Sequence, residues 1–185
     1  MKRILTFALL LGTTLVTGCS AGDARRYVAA YQQALIEHRG ATDIDPAAID
    51  SFLAVFTDLT ADELPARVTD AYAEDLYFSD TLHVLHSRDE LADYLKKTGD
   101  KVDAVSVDVL SVNQDGEDVY VRWRMQTKFS VMGRDIDALS VGISHLRFNE
   151  NGQVILHQDF WDSTEGLFSH LPFVGGVVRW ARSKT

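Results

Sequence analysis

Near the end of the chain an imidazole and a carboxylate stand two residues apart, in Val154 to Trp161. A strand alternates its side chains between two faces. Ile155, His157, Asp159 and Trp161 therefore share one face, and Val154, Leu156, Gln158 and Phe160 share the other. An acid beside an imidazole is a general acid/base pair. Burial in an apolar cavity disfavours a carboxylate's charge and brings such an acid toward the range where proton transfer is efficient. Asp159 is the candidate base and His157 its partner. The plainer role for the pair is to bond to each other, or to helix ends, and fix the sheet. Arg122 and Arg124 alternate with Trp123 and Met125 and fall on the face opposite them, as a solvated or dimer-facing charged strip. His83 and His86 are three apart in an extended segment, which puts them on opposite faces. With no HExxH or clustered acid word, no metal site is expected. No Gly-x-Ser-x-Gly elbow, phosphate-binding loop or dinucleotide fingerprint occurs, so serine-hydrolase chemistry and a nucleotide cofactor are not expected, and no cofactor is implied.

These residues must be held by a folded body, and the composition supplies one. Of 185 residues, 46% are hydrophobic and 24% charged, the proportions of an ordinary globular protein near the size of one domain. The formal charge is −9, with 18 Lys and Arg against 27 Asp and Glu. That balance argues against nucleic-acid binding, which calls for a basic patch.

The first residues indicate a compartment. Lys2 and Arg3 precede a mostly apolar run from Ile4 to Val16, too short to span a bilayer and suited to a signal-peptide core. It leads into Leu15-Val16-Thr17-Gly18-Cys19, which resembles a bacterial lipobox, with Cys19 acylated and residues 1–18 removed. Removal takes Lys2 and Arg3 but no acid, so the processed chain is more acidic still. Cys19 is the one cysteine in the sequence, which leaves no internal disulfide. Several acyl chains anchor durably where one does not. Ser20, rather than Asp, follows the cysteine and resembles the sorting pattern for the outer membrane. The expectation is a chain lipid-anchored in the cell envelope, at the periplasmic face of the outer membrane, with residues 19–22 as tether.

Asp23 to His38 reads as a helix, with Tyr27, Ala30, Tyr31, Ala34 and Leu35 on one stripe; residues 23–45 form this helix and a linker. A second helix follows an Asp43 or Asp45 cap, with Pro46 in its first turn and Ile49, Phe52, Leu53, Val55 and Phe56 apolar. Thr60-Ala61-Asp62-Glu63 has the capping-box pattern and opens a third, reaching about Glu74. Leu76 to Leu85 is extended, and Ser87 opens a fourth helix. From Lys101 onward period two dominates, with turns at Gln114–Glu117, Gly133–Asp135 and Asn149–Gly152. Helices followed by an antiparallel meander define an α+β class. The tail, with Val177, Val178 and Trp180 before Arg182 and Lys184, reads as a helix packing on the body, or less simply as a membrane-touching one.

Over residues 48–182 the chain resembles the nuclear transport factor two-like superfamily, in particular its SnoaL-like domain proteins. Three stretches carry the resemblance: Tyr72-Ala73-Glu74-Asp75-Leu76-Tyr77-Phe78-Ser79-Asp80, Gly142 to Phe148 with Asn149 to Gly152, and His157-Gln158-Asp159-Phe160-Trp161-Asp162. The ending Leu171-Pro172-Phe173-Val174-Gly175 is similar to that of a bacterial lipoprotein group. The resemblance implies a cone over residues 46–185: a curved antiparallel sheet covered by N-terminal helices, with a hydrophobic pocket inside and often a homodimer through the outer sheet face. It also implies that His157, Asp159 and Trp161 point into the cone. Asp80 and His83 would lie near its mouth, with Tyr77 and Ser79 where related enzymes hold a water or an oxyanion. Trp123, Met125 and Trp161 would join Tyr77, Ser79 and His83 in ligand binding, with Asp80 a weaker catalytic candidate. An epoxide-hydrolase mechanism would want an Arg-x-Asp pair where Arg122 and Arg124 stand, so Arg124 departs from it. Three readings stay open: a binding protein for a small apolar or amphipathic molecule; an acid/base isomerase, cyclase or dehydratase using Asp159 and His157; and a non-catalytic assembly module with a filled cone. Fold alone does not choose among them.

Overall fold

The computed structural model describes residues 21–170 and 174–184. Cys19 and the leader lie outside the described residues, as do Leu171, Pro172 and Phe173.

The helices form where local chemistry starts them. Asp45 accepts a hydrogen bond from the Ala47 N–H and Pro46 sits in the first turn of α2 (Pro46–Val55). Ser87 caps α4 (Arg88–Gly99), with Asp89 and Glu90 in its first turn and Lys96 and Lys97 in its last, matching the helix dipole. The third helix corrects the capping-box expectation. α3 runs Leu64–Ala71, and its N-cap Glu63 makes no side-chain cap. Thr60 is held instead in a turn, where its N–H and hydroxyl both bond Asp58 Oδ1 at 2.8 and 2.7 Å. A local side-chain bond of this kind competes with helix initiation. The helix also stops three residues before Glu74, because Tyr72 pairs with Val154 and begins β1 (Tyr72–Ser79).

The extended segment expected over residues 76–85 is two strands, β1 and β2 (Val84–Ser87), joined by a turn in which Asp80 Oδ1 accepts the Leu82 and His83 N–H groups. The meander follows as β3 (Ala104–Asp115), β4 (Asp118–Val131), β5 (Arg134–Phe148) and β6 (Val154–Trp161). The six strands lie in the order β2-β1-β6-β5-β4-β3. All neighbours are antiparallel except β1 and β6, which run parallel, with Phe78 beside His157 and Ser79 beside Gln158.

Helices α2, α3 and α4 pack on the inner face. Phe52, Leu64, Val68, Leu91, Val121, Leu146 and Phe148 form the main core there. The close fit has a backbone limit: a Cβ added to Gly99 would fall under 3 Å from the Leu59 carbonyl oxygen. Helix α1 (Ala21–Glu37) lies on the outer face, where Ala34, Tyr77 and Leu156 form a second core with Ala30, Tyr31 and Leu35. Its apolar stripe is the one the periodicity marks, but it covers the sheet from outside. One β6 residue departs from simple alternation. Val154 belongs to the inner core although period two groups it with Leu156. The register skips Ile155 there: Phe148 pairs with Val154 and Arg147 with Leu156. That bulge flips the face.

After β6 come a short helix α5 (Ser163–Gly166), a 3-10 turn (Phe168–His170) and α6 (Val174–Arg182). The α6 helix packs against the 3-10 turn, and Arg182 pairs with Glu165 of α5.

Candidate functional site

Inside the cone is a cavity of about 450 Å³. Phe52, Phe56, Phe78, Tyr94, Trp123 and Trp161 give it aromatic walls, and the β3 valines 105, 107 and 109 with Met125 give it an aliphatic one. Three of the candidate ligand residues, Trp123, Met125 and Trp161, thus line it, as do His157, Asp159 and Asp80.

Its polar end is one connected network. His157, only 1% exposed, lies between the rings of Phe52, Phe78 and Tyr72. Its Nδ1 is 2.9 Å from the Tyr72 hydroxyl and its Nε2 is 2.8 Å from Asp159 Oδ1. Burial keeps the Tyr72 phenol protonated, with the Asp159 charge acting in the same direction. That hydroxyl has no other partner among the described residues, so its proton goes to Nδ1. Nε2 is then the ring nitrogen that donates to Asp159 Oδ1. Ser144, directly opposite Asp159 in the β5–β6 register, donates to the same Oδ1 at 2.6 Å. Trp123 Nε1 donates to Ser144 Oγ at 2.9 Å. Every partner of the Asp159 carboxylate is a donor, and all converge on Oδ1. Oδ2 accepts nothing among the described residues, so it is the oxygen the cavity presents.

Asp80 is used differently. Its Oδ1 holds the turn through two N–H groups, and its Oδ2 accepts from the Tyr94 hydroxyl. Trp161 Nε1 donates to its carbonyl oxygen at 2.8 Å. Both carboxylate oxygens are committed, which makes Asp80 a turn-forming wall residue.

Three candidates fall elsewhere. Tyr77 and Ser79 flank Phe78, so they lie on the outer face; the Tyr77 hydroxyl donates to Gln158 Oε1 at 3.2 Å. The alternation that puts Phe78 in the cavity necessarily takes its neighbours out. His83 is exposed, with its ring tilted 45° to that of Tyr94 at 4.5 Å between centroids, and it is not among the cavity-lining residues. Arg124 pairs with Asp108 in the open, a solvated strip. Among the described residues no three His, Cys, Asp or Glu are grouped to hold a metal ion.

The sequence reading missed Ser144 and Tyr72, and it missed a second relay on the outer face. There the Tyr31 hydroxyl is 2.7 Å from His145 Nδ1, and His145 Nε2 is 2.8 Å from Asp118 Oδ1. Arg147 completes this relay. Its Nε donates to Asp118 at 2.6 Å and its Nη1 to the Leu35 and His38 carbonyls at the end of α1. The signal was the period-two pair His145 and Arg147. Burial pushes the Asp118 carboxyl up, but hydrogen bonds from Arg147 and His145 outweigh it and hold it below the usual carboxylate range. Burial holds the His145 imidazole below its ordinary value, against the pull of Asp118.

A pH dependence follows. The unfolded chain takes up a proton at His145 below about pH 6.5, and the native chain resists it. Stability is therefore full above that value and falls as pH drops through it. His38, also held low by burial, adds to the slope, and Asp118 adds a further loss below about pH 3.8. Urea midpoints measured at pH 7 and pH 5 are expected to fall, with a shallower fall in His145→Gln; an unchanged slope in that variant would remove His145 from the account.

Solved structures with the same architecture include a candidate SnoaL-like polyketide cyclase from Shewanella denitrificans OS-217, with TM-score 0.56 and 16% identity over 65% of this chain and 94% of that one. An NTF2-like protein from Exiguobacterium sp. 255-15 gives 0.53 and 14% over 62% and 98%. A protein with a ketosteroid isomerase-like fold from Catenulispora acidiphila DSM 44928, solved in complex with trimethylamine, gives 0.54 and 15% over 66% and 90%. At such identities the likeness concerns the fold. No curated protein matches the chain. Residues 49–157, more than half of the sequence, match the model of the SnoaL-like domain, so the chain belongs to the SnoaL-like domain family.

Proposed function

We propose that the chain binds a small amphipathic molecule in the cone. The observation that carries this reading is an aromatic and aliphatic cavity of about 450 Å³ with one open carboxylate oxygen at its polar end. Small-molecule sites typically measure roughly 300–1,000 Å³ and have apolar walls with a few placed polar groups. A cavity of this size counts against an assembly module with a filled cone.

The second reading, acid/base catalysis with Asp159 as base, is favoured by the same oxygen, which His157 and Ser144 orient. Abstraction of a proton beside a carbonyl also needs a donor for the developing oxyanion. The indole and phenol donors nearest the site are spent: Trp123 on Ser144, Trp161 on the Asp80 carbonyl and Tyr94 on the Asp80 carboxylate. Binding is therefore the leading reading.

Envelope anchoring at Cys19 is part of the proposal. It rests on the lipobox-like sequence. The α1 helix begins at Ala21, two residues after Cys19, so the anchor would sit close to the body. A homodimer would have to use the part of the outer face that α1 leaves open, where Leu139, Val141 and Ile143 are exposed. Native mass spectrometry of the intact chain, taken gently from its own cells, tests the reading: a ligand mass lost on unfolding is expected. The same spectra read any acyl mass on Cys19.

A further inference from the structure

The two relays differ in one respect. Tyr31–His145–Asp118 on the outer face and Tyr72–His157–Asp159 in the cavity share a layout, a phenol on Nδ1 and a carboxylate on Nε2. On the outer face the Asp118 charge is answered by Arg147, whose side chain is nearly as buried as the histidine's. In the cavity no lysine or arginine pairs with Asp159 among the described residues; its one basic neighbour is His157, whose other ring nitrogen faces the Tyr72 hydroxyl. Asp80, the other carboxylate of the wall, has no Lys or Arg partner among them either. Lys101, the one Lys or Arg among the described cavity-lining residues, is exposed and pairs with neither. Buried charges are ordinarily paired. This cavity leaves both carboxylates without a Lys or Arg, only Asp159 keeps an oxygen with no donor, and the same cavity is lined by Trp123, Trp161, Phe52, Phe56 and Phe78, rings whose faces attract cations.

The geometry points to a ligand that supplies the missing cation: a small molecule with an apolar body and a protonated amine, its ammonium on Asp159 Oδ2 and its body against the aromatic walls. This inference rests on the binding reading and deepens it. A polar end whose own donors are committed accepts hydrogen bonds and does not offer them. A carboxylic acid or phosphate would bring a second anion to it. A neutral alcohol could donate once but would leave the charge uncompensated.

Three probes with the same body and different heads test it: 4-phenylbutylamine, 4-phenylbutan-1-ol and 4-phenylbutyrate, titrated at pH 7 into the intact chain by calorimetry. Nile red, a neutral dye, serves as a control for entry into the cavity. An amine of this kind is protonated at pH 7. The amine is expected to bind about tenfold tighter than the alcohol, the scale of one desolvated cation–aromatic or charge contact, and the acid weakest. In Asp159→Asn the amine's advantage over the alcohol is expected to vanish. Alcohol binding equal to or tighter than amine binding in the natural chain would overturn the cation inference and leave the binding reading standing. An amine preference that persists in Asp159→Asn would overturn the role of Asp159. Failure of Nile red and all three probes to bind would overturn the binding reading itself. The amine-to-alcohol ratio of the natural chain decides the inference even if the variant does not fold.

Discussion

Arg147→Met is expected to cost about 3–5 kcal/mol of folding stability, the usual penalty for breaking a buried charge network from one side. Arg147 is 5% exposed and belongs to β5. Removing its guanidinium leaves Asp118 with His145 alone and strips the donor from the Leu35 and His38 carbonyls, where α1 ends. Glu117 is less affected, because Arg39 and the Gly40 N–H still bond it. Methionine keeps most of the volume, so the loss reports charge and hydrogen bonds more than packing. The same replacement at Arg124 is the comparison. Its pair with Asp108 has both side chains more than half exposed, and such pairs are worth about 0–1 kcal/mol. Urea unfolding of both variants reads the difference, and hydrogen exchange should show α1 amides opening sooner in the first. Equal losses in the two would mean that Arg147 does not fasten α1.

Gly142→Ala joins fold and site in one substitution. A Cβ at Gly142 would lie under 3 Å from the indole ring of Trp123 and from Cβ of Trp161. Neither neighbour gives easily. Trp123 is fixed through its Nε1 to Ser144, Trp161 through its Nε1 to the Asp80 carbonyl, and Trp161 pairs with Gly142 across the β5–β6 register. Overpacking of this kind costs about 1–3 kcal/mol and sometimes more. One methyl group should therefore lower the urea midpoint, shift tryptophan emission and weaken ligand binding together. Loss of stability with ligand affinity unchanged would show that the two indoles do not form the binding wall.

Much of this was legible because it is local. Period two located β3 to β6, and β6 runs from Val154 to Trp161 as read. The Asp45 and Ser87 caps started α2 and α4 as their side-chain chemistry requires. The failures are of other kinds. A helical stripe says that α1 packs, but its partner, the outer face under Tyr77 and Leu156, is set by strands far along the chain. The Ile155 bulge that turns Val154 inward leaves no mark in the pattern of apolar residues. The site divides the same way. His157 and Asp159 share a face by alternation alone. Ser144 and Tyr72 reach them only through register and the α3-to-β1 junction, and both are non-local. Tyr77 and Ser79 were placed in the cavity by resemblance, against an alternation that gives the inward position to Phe78.

A cone that holds a molecule should be occupied when the protein leaves its cell, and occupancy can be read directly. Native mass spectra would be taken of the intact chain and of Met125→Trp, both purified gently from the cells that make the protein. Met125 lines the cavity without joining its hydrogen-bond network, so an indole there fills space and leaves Asp159 alone. One defined added mass is expected on the natural chain, released on unfolding and absent from the variant. A natural chain that emerges empty, and stays empty when offered apolar amines, alcohols and acids, would contradict it.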